Sequence, residues 1–152
     1  MLPVGAIRQV ESPDHWTRFT GDEQITMMTL WCMLRSPLMI GGELTKCDDF
    51  TLRLLTNDAV LEILSASHCA HPLYTTENKA AWVAPRRDGT GLYLALFNLG
   101  DTPCVIRQDA AELGISQAAS ARELWTGETA KAVSIVSANL PPHGAKLYFL
   151  QG

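Results

Sequence analysis

The sequence lacks several features that would assign it to a functional class at once. No apolar run approaches the roughly 18 residues of a membrane span. Residues 1–8 lack the basic region and apolar core of a signal peptide, so we expect no membrane partner and favour a cytoplasmic location. The four cysteines are scattered and form no CxxC pair, which indicates free thiols in a reducing compartment.

Basic residues are also few, and they are not clustered. The net charge is −4 at pH 7 and the pI is about 5.5. The one adjacent basic pair, Arg86-Arg87, lies beside an obvious turn. Binding to a phosphate backbone needs clustered Lys and Arg, so we expect no nucleic-acid partner. The length of 152 residues suits one ordinary domain or two small ones.

The first half of the chain has apolar residues at helical spacing. Thr20 and Glu23 have the spacing of a capping box, which predicts a helix from about residue 21. Ser36-Pro37 ends this helix, because proline lacks a backbone N–H and restricts the residue before it. The apolar run 38–40, followed by Gly41-Gly42, predicts a parallel strand buried on both faces.

A second helical stretch is expected from about Asp49 to Leu64. Asp48 or Asp49 supplies its cap, and the segment 56–58 predicts a break with a fresh cap. The order helix, strand, helix is typical of a slice of an α/β fold.

The second half alternates short apolar runs with turn residues. Arg87-Asp88-Gly89 predicts a hairpin turn, and the run 92–97 is apolar on both faces, as in a central sandwich strand. Residues 109–119 are expected to be helical or irregular. Further strands are expected over 104–106, 122–125, 132–136 and 145–150, which favours a small antiparallel β-sandwich.

Six segments, in a consistent order, carry a family resemblance. They are Met1-Leu2-Pro3-Val4-Gly5, the helix from Asp22-Glu23-Gln24 to Leu30-Trp31-Cys32-Met33, Arg35-Ser36-Pro37-Leu38-Met39-Ile40-Gly41-Gly42-Glu43-Leu44, Leu54-Leu55-Thr56-Asn57-Asp58-Ala59-Val60, Glu123-Leu124-Trp125-Thr126-Gly127 and Leu140-Pro141-Pro142-His143-Gly144-Ala145. This set resembles the family 27 glycoside hydrolases, which are α-galactosidases and α-N-acetylgalactosaminidases.

The resemblance implies an α+β chain in two parts. Residues 1–68 would be the end of a (β/α)8 barrel, with its last helix, strand and helix. Residues 69–152 would be the C-terminal antiparallel β-sandwich. A complete barrel takes roughly 200 residues or more, so we expect a fragment or a truncated product.

The resemblance also implies that the catalytic residues are absent. Retaining glycosidases use two carboxylates roughly 5 Å apart, and the family places both upstream of Met1. We therefore expect no catalytic residue, no metal and no cofactor in this chain, and no hydrolysis by the isolated chain. Met1 maps onto a family pocket position. Trp16 lies in the loop 13–16 after a barrel strand, where it could contact sugar or cover the barrel rim.

Other candidate sites have simpler interpretations. Asp48 and Asp49 are adjacent acidic residues of the kind that cap helices. His68-Cys69 with His71 offers metal-like donors, but zinc sites usually draw on two separated ligand pairs, and a linker is the favoured interpretation. His143 is interpreted as a turn residue and Ser36 as a helix stop. Trp31 is expected in a helical core, and Trp82 and Trp125 in the sandwich core.

Two other functional classes remain open at this point. A free-standing carbohydrate-binding or interaction module would be favoured by solvent exposure of Trp16, Trp82 or Trp125. A metal-assisted enzyme using His68, Cys69 and His71 would be favoured by bound zinc.

The barrel end predicts a binding partner. Its helix and strand are apolar on faces that a full barrel would cover, and exposed apolar surface drives association. We therefore expect a homo-oligomer, contact with the missing barrel portion, or a first half repacked on the sandwich. Carbohydrate is expected as a partner only of the complete enzyme.

Overall fold

A computed structural model describes residues 1–8, 15–115 and 119–152, without the side chains of Arg8, His15 and Ala119. The first half of the chain contains a short hairpin and a series of helices. These elements are β1 (Ala6–Arg8), β2 (His15–Trp16), α1 (Gly21–Met33), a 3-10 helix (Leu44–Lys46), α2 (Asp49–Leu55), α3 (Asp58–Leu61) and α4 (Ile63–Ala66). The second half is almost entirely strands. These are β3 (His71–Thr75), β4 (Lys79–Pro85), β5 (Leu92–Asn98), β6 (Cys104–Asp109), β7 (Ala119–Glu123), β8 (Thr129–Val133), β9 (Ile135–Leu140) and β10 (Ala145–Gln151), with a 3-10 turn at Ala111–Leu113.

Helix α1 begins where the capping box predicts. The Thr20 hydroxyl accepts a hydrogen bond from the Glu23 N–H at 3.2 Å, and the Glu23 carboxylate accepts one from the Thr20 N–H at 2.8 Å. The helix ends at Met33, before Pro37, and Arg35 adopts a positive φ of 53° as the chain turns away. The side chains of Met28, Cys32 and Met33 are buried.

The run 38–40 forms less of a strand than predicted. It makes a single parallel bridge, Leu2 to Ile40. The Leu2 N–H donates to the Met39 carbonyl at 2.7 Å, and the Gly41 N–H donates to the Leu2 carbonyl at 2.9 Å. The parallel direction of this bridge was predicted correctly. The predicted burial of both faces is wrong, because the Met39 side chain is 62% exposed.

The second helical stretch breaks where expected. The Asp48 carboxylate caps α2 by accepting from the Thr51 N–H at 2.7 Å. The Asn57 side-chain oxygen caps α3 by accepting from the Val60 N–H at 3.2 Å. Helices α3 and α4 are each one turn long.

The strands form an antiparallel sandwich of unequal sheets. The larger sheet has the order β3-β4-β5-β10-β7-β8, and β6 pairs with β9 in the smaller sheet. Strand β5 is central, between β4 and β10, as its apolar sequence predicts. The hairpin turn between β4 and β5 contains Gly89 at a positive φ of 73°.

Several strand boundaries differ from the prediction, and β3 was not predicted. The expected strand 122–125 ends at Glu123, because the Glu123 carboxylate binds the N–H groups of Trp125 and Thr126 and draws them into a turn. The expected strand 132–136 is divided at Ser134 between β8 and β9, which lie in different sheets. Of the expected irregular stretch 109–119, residues 116–118 lie outside the description.

The larger sheet has a hydrophobic core on each face. One face packs on the helices, with Met28, Cys32, Tyr93 and Leu147 among its buried residues. The other face packs on the smaller sheet. The molecule therefore has three layers: helices, a six-stranded sheet and a two-stranded sheet. Over the described residues, none of the helices has the length and hydropathy to cross a membrane.

Candidate functional site

Leu2 and Ile40 pair in a parallel bridge, and the segments that follow them meet at one edge of the helical layer. These segments are strand β1, after Leu2, and residues 41–43, after Ile40. The Glu43 N–H donates to the Ala6 carbonyl at 2.6 Å and joins them. Catalytic loops of (β/α)8 barrels lie at this carboxyl-terminal edge of the strands. We call this region, formed by residues 5–8, 15–19 and 41–46, the strand-end surface.

Hydrogen bonds from α1 hold the strand-end surface in place. The Gln24 side chain is 6% exposed. Its oxygen accepts from the Gly5 N–H at 3.3 Å, and its nitrogen donates to the Phe19 carbonyl at 3.1 Å. Gly5 has a positive φ of 64°, and a Cβ there would lie 2.8 Å from the Thr51 hydroxyl. This position therefore requires glycine.

The two predicted substrate-contact residues lie on or beside this region, and both are exposed. Trp16 in β2 is 47% exposed, and Met1 is 84% exposed beside Gly41. An exposed tryptophan offers a flat apolar face with a polar N–H, which suits contact with a sugar ring. Of the predicted loop 13–16, Pro13 and Asp14 lie outside the described residues, as does the side chain of His15.

The nearby carboxylates act as helix caps. Glu43 accepts from the Thr45 hydroxyl at 2.8 Å and from its N–H at 3.2 Å, and these bonds lower the pKa of the Glu43 carboxyl. Of the two predicted caps, Asp48 and Asp49, Asp48 accepts the bond from the Thr51 N–H, and the bonds from Thr51 likewise lower the pKa of the Asp48 carboxyl. A carboxylate stabilised in its ionised form is a poor general acid.

The His68–Cys69–His71 segment does not converge on one point. The Nδ1 atom of His71 lies 2.8 Å from the Cys69 carbonyl, and the Cys69 side chain is exposed. No group of three or more His, Cys, Asp or Glu side chains that could hold a metal ion occurs within the described parts of the chain. His143 lies in the β9–β10 turn as predicted, with Nε2 at 2.9 Å from Asp101 Oδ1.

Three of the tryptophans pack where the helical layer meets the larger sheet. Trp31, Trp82 and Trp125 are partly buried against the core on the helical face of the larger sheet. The sandwich tryptophans, Trp82 and Trp125, thus pack towards the helices and not between the two sheets. The Trp125 Nε1–H donates to the Thr29 hydroxyl of α1 at 2.9 Å.

A concave surface elsewhere on the molecule was not anticipated from the sequence. It is a cleft of about 600 Å³ between β7–β8 and β9, which we call the sandwich cleft. It is lined by Ala121, Glu123, Glu128, Thr129, Ala130, Val133, Ile135, Val136, Ser137, Lys146 and Tyr148. Its polar residues come from four separate strands and one turn, so no local motif reveals it.

Comparison with known proteins identifies both parts of the fold. Residues 76–150 match the alpha galactosidase C-terminal beta sandwich domain. The "Probable alpha-galactosidase D" of Aspergillus oryzae is 30% identical over 138 residues, which are 85% of this chain and 21% of that protein. The alpha-galactosidase of Coffea arabica is 27% identical over 136 residues, which are 86% of this chain and 36% of that protein.

A solved structure extends the match across the helical layer. The family 27 β-L-arabinopyranosidase of Geobacillus stearothermophilus superimposes with a TM-score of 0.91 at 38% identity. The alignment covers 99% of this chain and 36% of that one. This chain therefore spans between 21% and 36% of the length of these three proteins.

These matches define a class of structure: the end of a glycosidase barrel joined to its C-terminal β-sandwich. The chain belongs to the family 27 glycoside hydrolases and corresponds to the C-terminal part of an α-galactosidase-like member.

Proposed function

We propose that this chain completes the fold of an α-galactosidase-like glycosidase and performs no hydrolysis alone. The barrel end supplies the last strand-end loops beside the substrate, and the β-sandwich supports them. Both catalytic carboxylates belong to the barrel portion that this chain does not match. The two parts would be residues 1–68 and 69–152.

One observation carries the proposal: nearly all of this chain superimposes on about a third of a complete family 27 enzyme. A retaining mechanism needs a nucleophile and an acid on either side of the anomeric carbon. On the strand-end surface, the carboxylate of Glu43 is held by Thr45.

Trp16 and Met1 would contribute to substrate binding. In an assembled barrel the strand-end surface would face the substrate, and the exposed Trp16 ring would lie at the entrance. This position suits contact with the leaving group or with the sugar ring.

The first test uses the chain alone and in a chimera. The 152-residue chain is assayed with an aryl α-D-galactoside and an aryl β-L-arabinopyranoside, and we expect no turnover of either. The chain then replaces the matching C-terminal part of the Geobacillus arabinopyranosidase, and we expect hydrolysis to persist. Two substrates are needed because these sugars share a ring configuration and differ by one hydroxymethyl group.

Variants of the chimera test whether Trp16 contributes to substrate binding. Trp16→Ala should raise KM by roughly threefold to tenfold, the loss expected when an aromatic contact worth about 0.5–1.5 kcal/mol is removed. Leu99→Ala, at an exposed leucine after β5, is the matched control and should change neither KM nor kcat. Turnover by the isolated chain that a point substitution abolishes would refute the proposal, as would a folded but inactive chimera.

A further inference from the structure

Trp16 lies in a very short hairpin. Strands β1 and β2 contain three and two residues, and their register shifts between Ala6 and Arg8. A two-stranded hairpin on its own is at best marginally stable in water. The place of Trp16, which pairs with Ala6, therefore depends on what anchors the base of this hairpin.

A single side chain of α1 anchors both strands at that base. The Gln24 amide oxygen accepts from the N–H of Gly5, the residue before β1, at 3.3 Å. The amide nitrogen donates to the carbonyl of Phe19, which follows β2, at 3.1 Å. Close to these two bonds, the Thr17 N–H donates to the Gly5 carbonyl at 2.8 Å. The segment that enters β1 and the segment that leaves β2 are therefore held to the same helix.

Neither side-chain bond of Gln24 is made to α1 itself. The start of the helix is already capped by Thr20 and Glu23. Gln24 is followed at a spacing of four residues by Met28 and Cys32, which are also buried, so it lies on a face where apolar side chains are usual. Burying an amide costs free energy unless it is hydrogen-bonded. The bonds to the hairpin base account for a polar residue at this position.

The two bonds require the chemistry of a side-chain amide. The Gly5 N–H needs an acceptor and the Phe19 carbonyl needs a donor, and glutamine carries both on one planar group. Leucine, which is of similar size, offers neither, and an ionised glutamate offers acceptors only.

We propose that Gln24 is a positioning residue, which holds Trp16 at the substrate entrance through the base of the β1–β2 hairpin. This role rests on the proposed function of the strand-end surface. Gln24 is only 6% exposed, so it acts through the hairpin and not by contact with substrate. A ring that is fixed before the substrate arrives has less conformational freedom to lose on binding, which strengthens the contact.

The first readout needs no glycosidase activity. The full chain, labelled with 15N and diluted until light scattering shows a monomer, is compared with Gln24→Leu by amide relaxation. The order parameter of the Trp16 amide should be near the roughly 0.85 of rigid backbone in the parent chain and below about 0.6 in the variant.

Thr29→Val is the matched control. Thr29 is another buried polar residue of α1, and its hydroxyl accepts from the Trp125 Nε1–H in the sandwich. This variant should leave Trp16 ordered. If unfolding curves show that Gln24→Leu is not folded, Gln24→Glu takes its place. At neutral pH it keeps an acceptor for Gly5 but loses the donor for Phe19, so the amides of residues 16–19 should become mobile.

The second readout is kinetic and uses the chimera. Gln24→Leu should raise KM roughly threefold to tenfold, as expected for Trp16→Ala, and leave kcat unchanged. The double variant should have the KM of Trp16→Ala alone, because both substitutions remove the same contact. Thr29→Val should leave KM unchanged.

An order parameter for Trp16 that stays near the rigid value in a folded Gln24 variant would overturn the proposal. Increases in KM that multiply in the double variant would overturn it too, because Gln24 would then act independently of Trp16. A folded but inactive chimera refutes the proposed function instead, and the relaxation measurement on the isolated chain still decides whether Gln24 orders Trp16.

Discussion

At the scale of the residue, Glu123 shows how one buried side chain sets the chain path. The residue is 4% exposed, and its carboxylate accepts hydrogen bonds from three backbone N–H groups. We predict that Glu123→Gln lowers the free energy of unfolding by about 1–3 kcal/mol, because an amide presents a donor to N–H groups that need an acceptor. Urea unfolding measures the change.

The control for this prediction is Glu128→Gln. The Glu128 side chain is exposed and makes no hydrogen bond to any described residue. We expect a change within about 0.5 kcal/mol for this exposed site. Equal losses in the two variants would show that the buried hydrogen bonds of Glu123 contribute little.

Sequence reasoning at this scale succeeded where a role depends on near neighbours. A cap was predicted at Thr20 from Glu23 three positions on, at Asp48 or Asp49, and within 56–58, and the structure has the caps at Thr20, Asp48 and Asn57. The role of Glu123 was missed although Trp125 and Thr126 are near it in sequence, because no helix follows to mark a cap and its third partner, Leu147, is distant in sequence. The sandwich cleft was missed for the same reason, since Lys146 and Ser137 meet only through sheet packing.

At the scale of the element, α1 depends on its N-terminal cap. We predict that Thr20→Ala lowers the free energy of unfolding by about 1 kcal/mol, because the Glu23 N–H loses its acceptor. Thermal unfolding followed by circular dichroism measures this. Thr102→Ala is the control, because Thr102 is exposed and its hydroxyl bonds to no described group; no shift is expected. An unchanged melting temperature for Thr20→Ala would argue against a stabilising cap.

Elements were predictable where their own sequence determines them. The capped helix, the break at 56–58 and the central strand β5 were all expected. The segment 38–40 was predicted as a buried strand from its apolar residues, but a strand also needs neighbours, and here it has a single parallel bridge. The end of β7 at Glu123 depends on a side-chain contact that periodicity does not encode.

At the scale of the whole molecule, the helical layer leaves apolar side chains in solvent. Met39 is 62% exposed, Leu44 61% and Leu52 53%. Contiguous apolar surface promotes association. We therefore predict that the isolated chain forms a homo-oligomer, and that light scattering shows a mass that rises with protein concentration.

A matched pair of variants locates the contact. Leu44→Asp on the strand-end surface should reduce association, whereas Leu99→Asp on the sandwich should not, although Leu99 is 41% exposed. A strict monomer at high concentration would contradict the prediction. Equal effects of the two variants would place the contact elsewhere.

The contacts between the helical layer and the sandwich affect how this part of the enzyme could be exchanged between proteins. Trp125 donates to Thr29, Asn57 donates to the Leu124 carbonyl at 2.9 Å, and Thr26 donates to the His143 carbonyl at 2.7 Å. A recombination crossover near residue 76 would separate each donor from its acceptor and leave Tyr93 and Leu147 without their helical cover. A transferable module would therefore have to carry α1 to α4 together with the strands, although the family resemblance assigns those helices to the barrel.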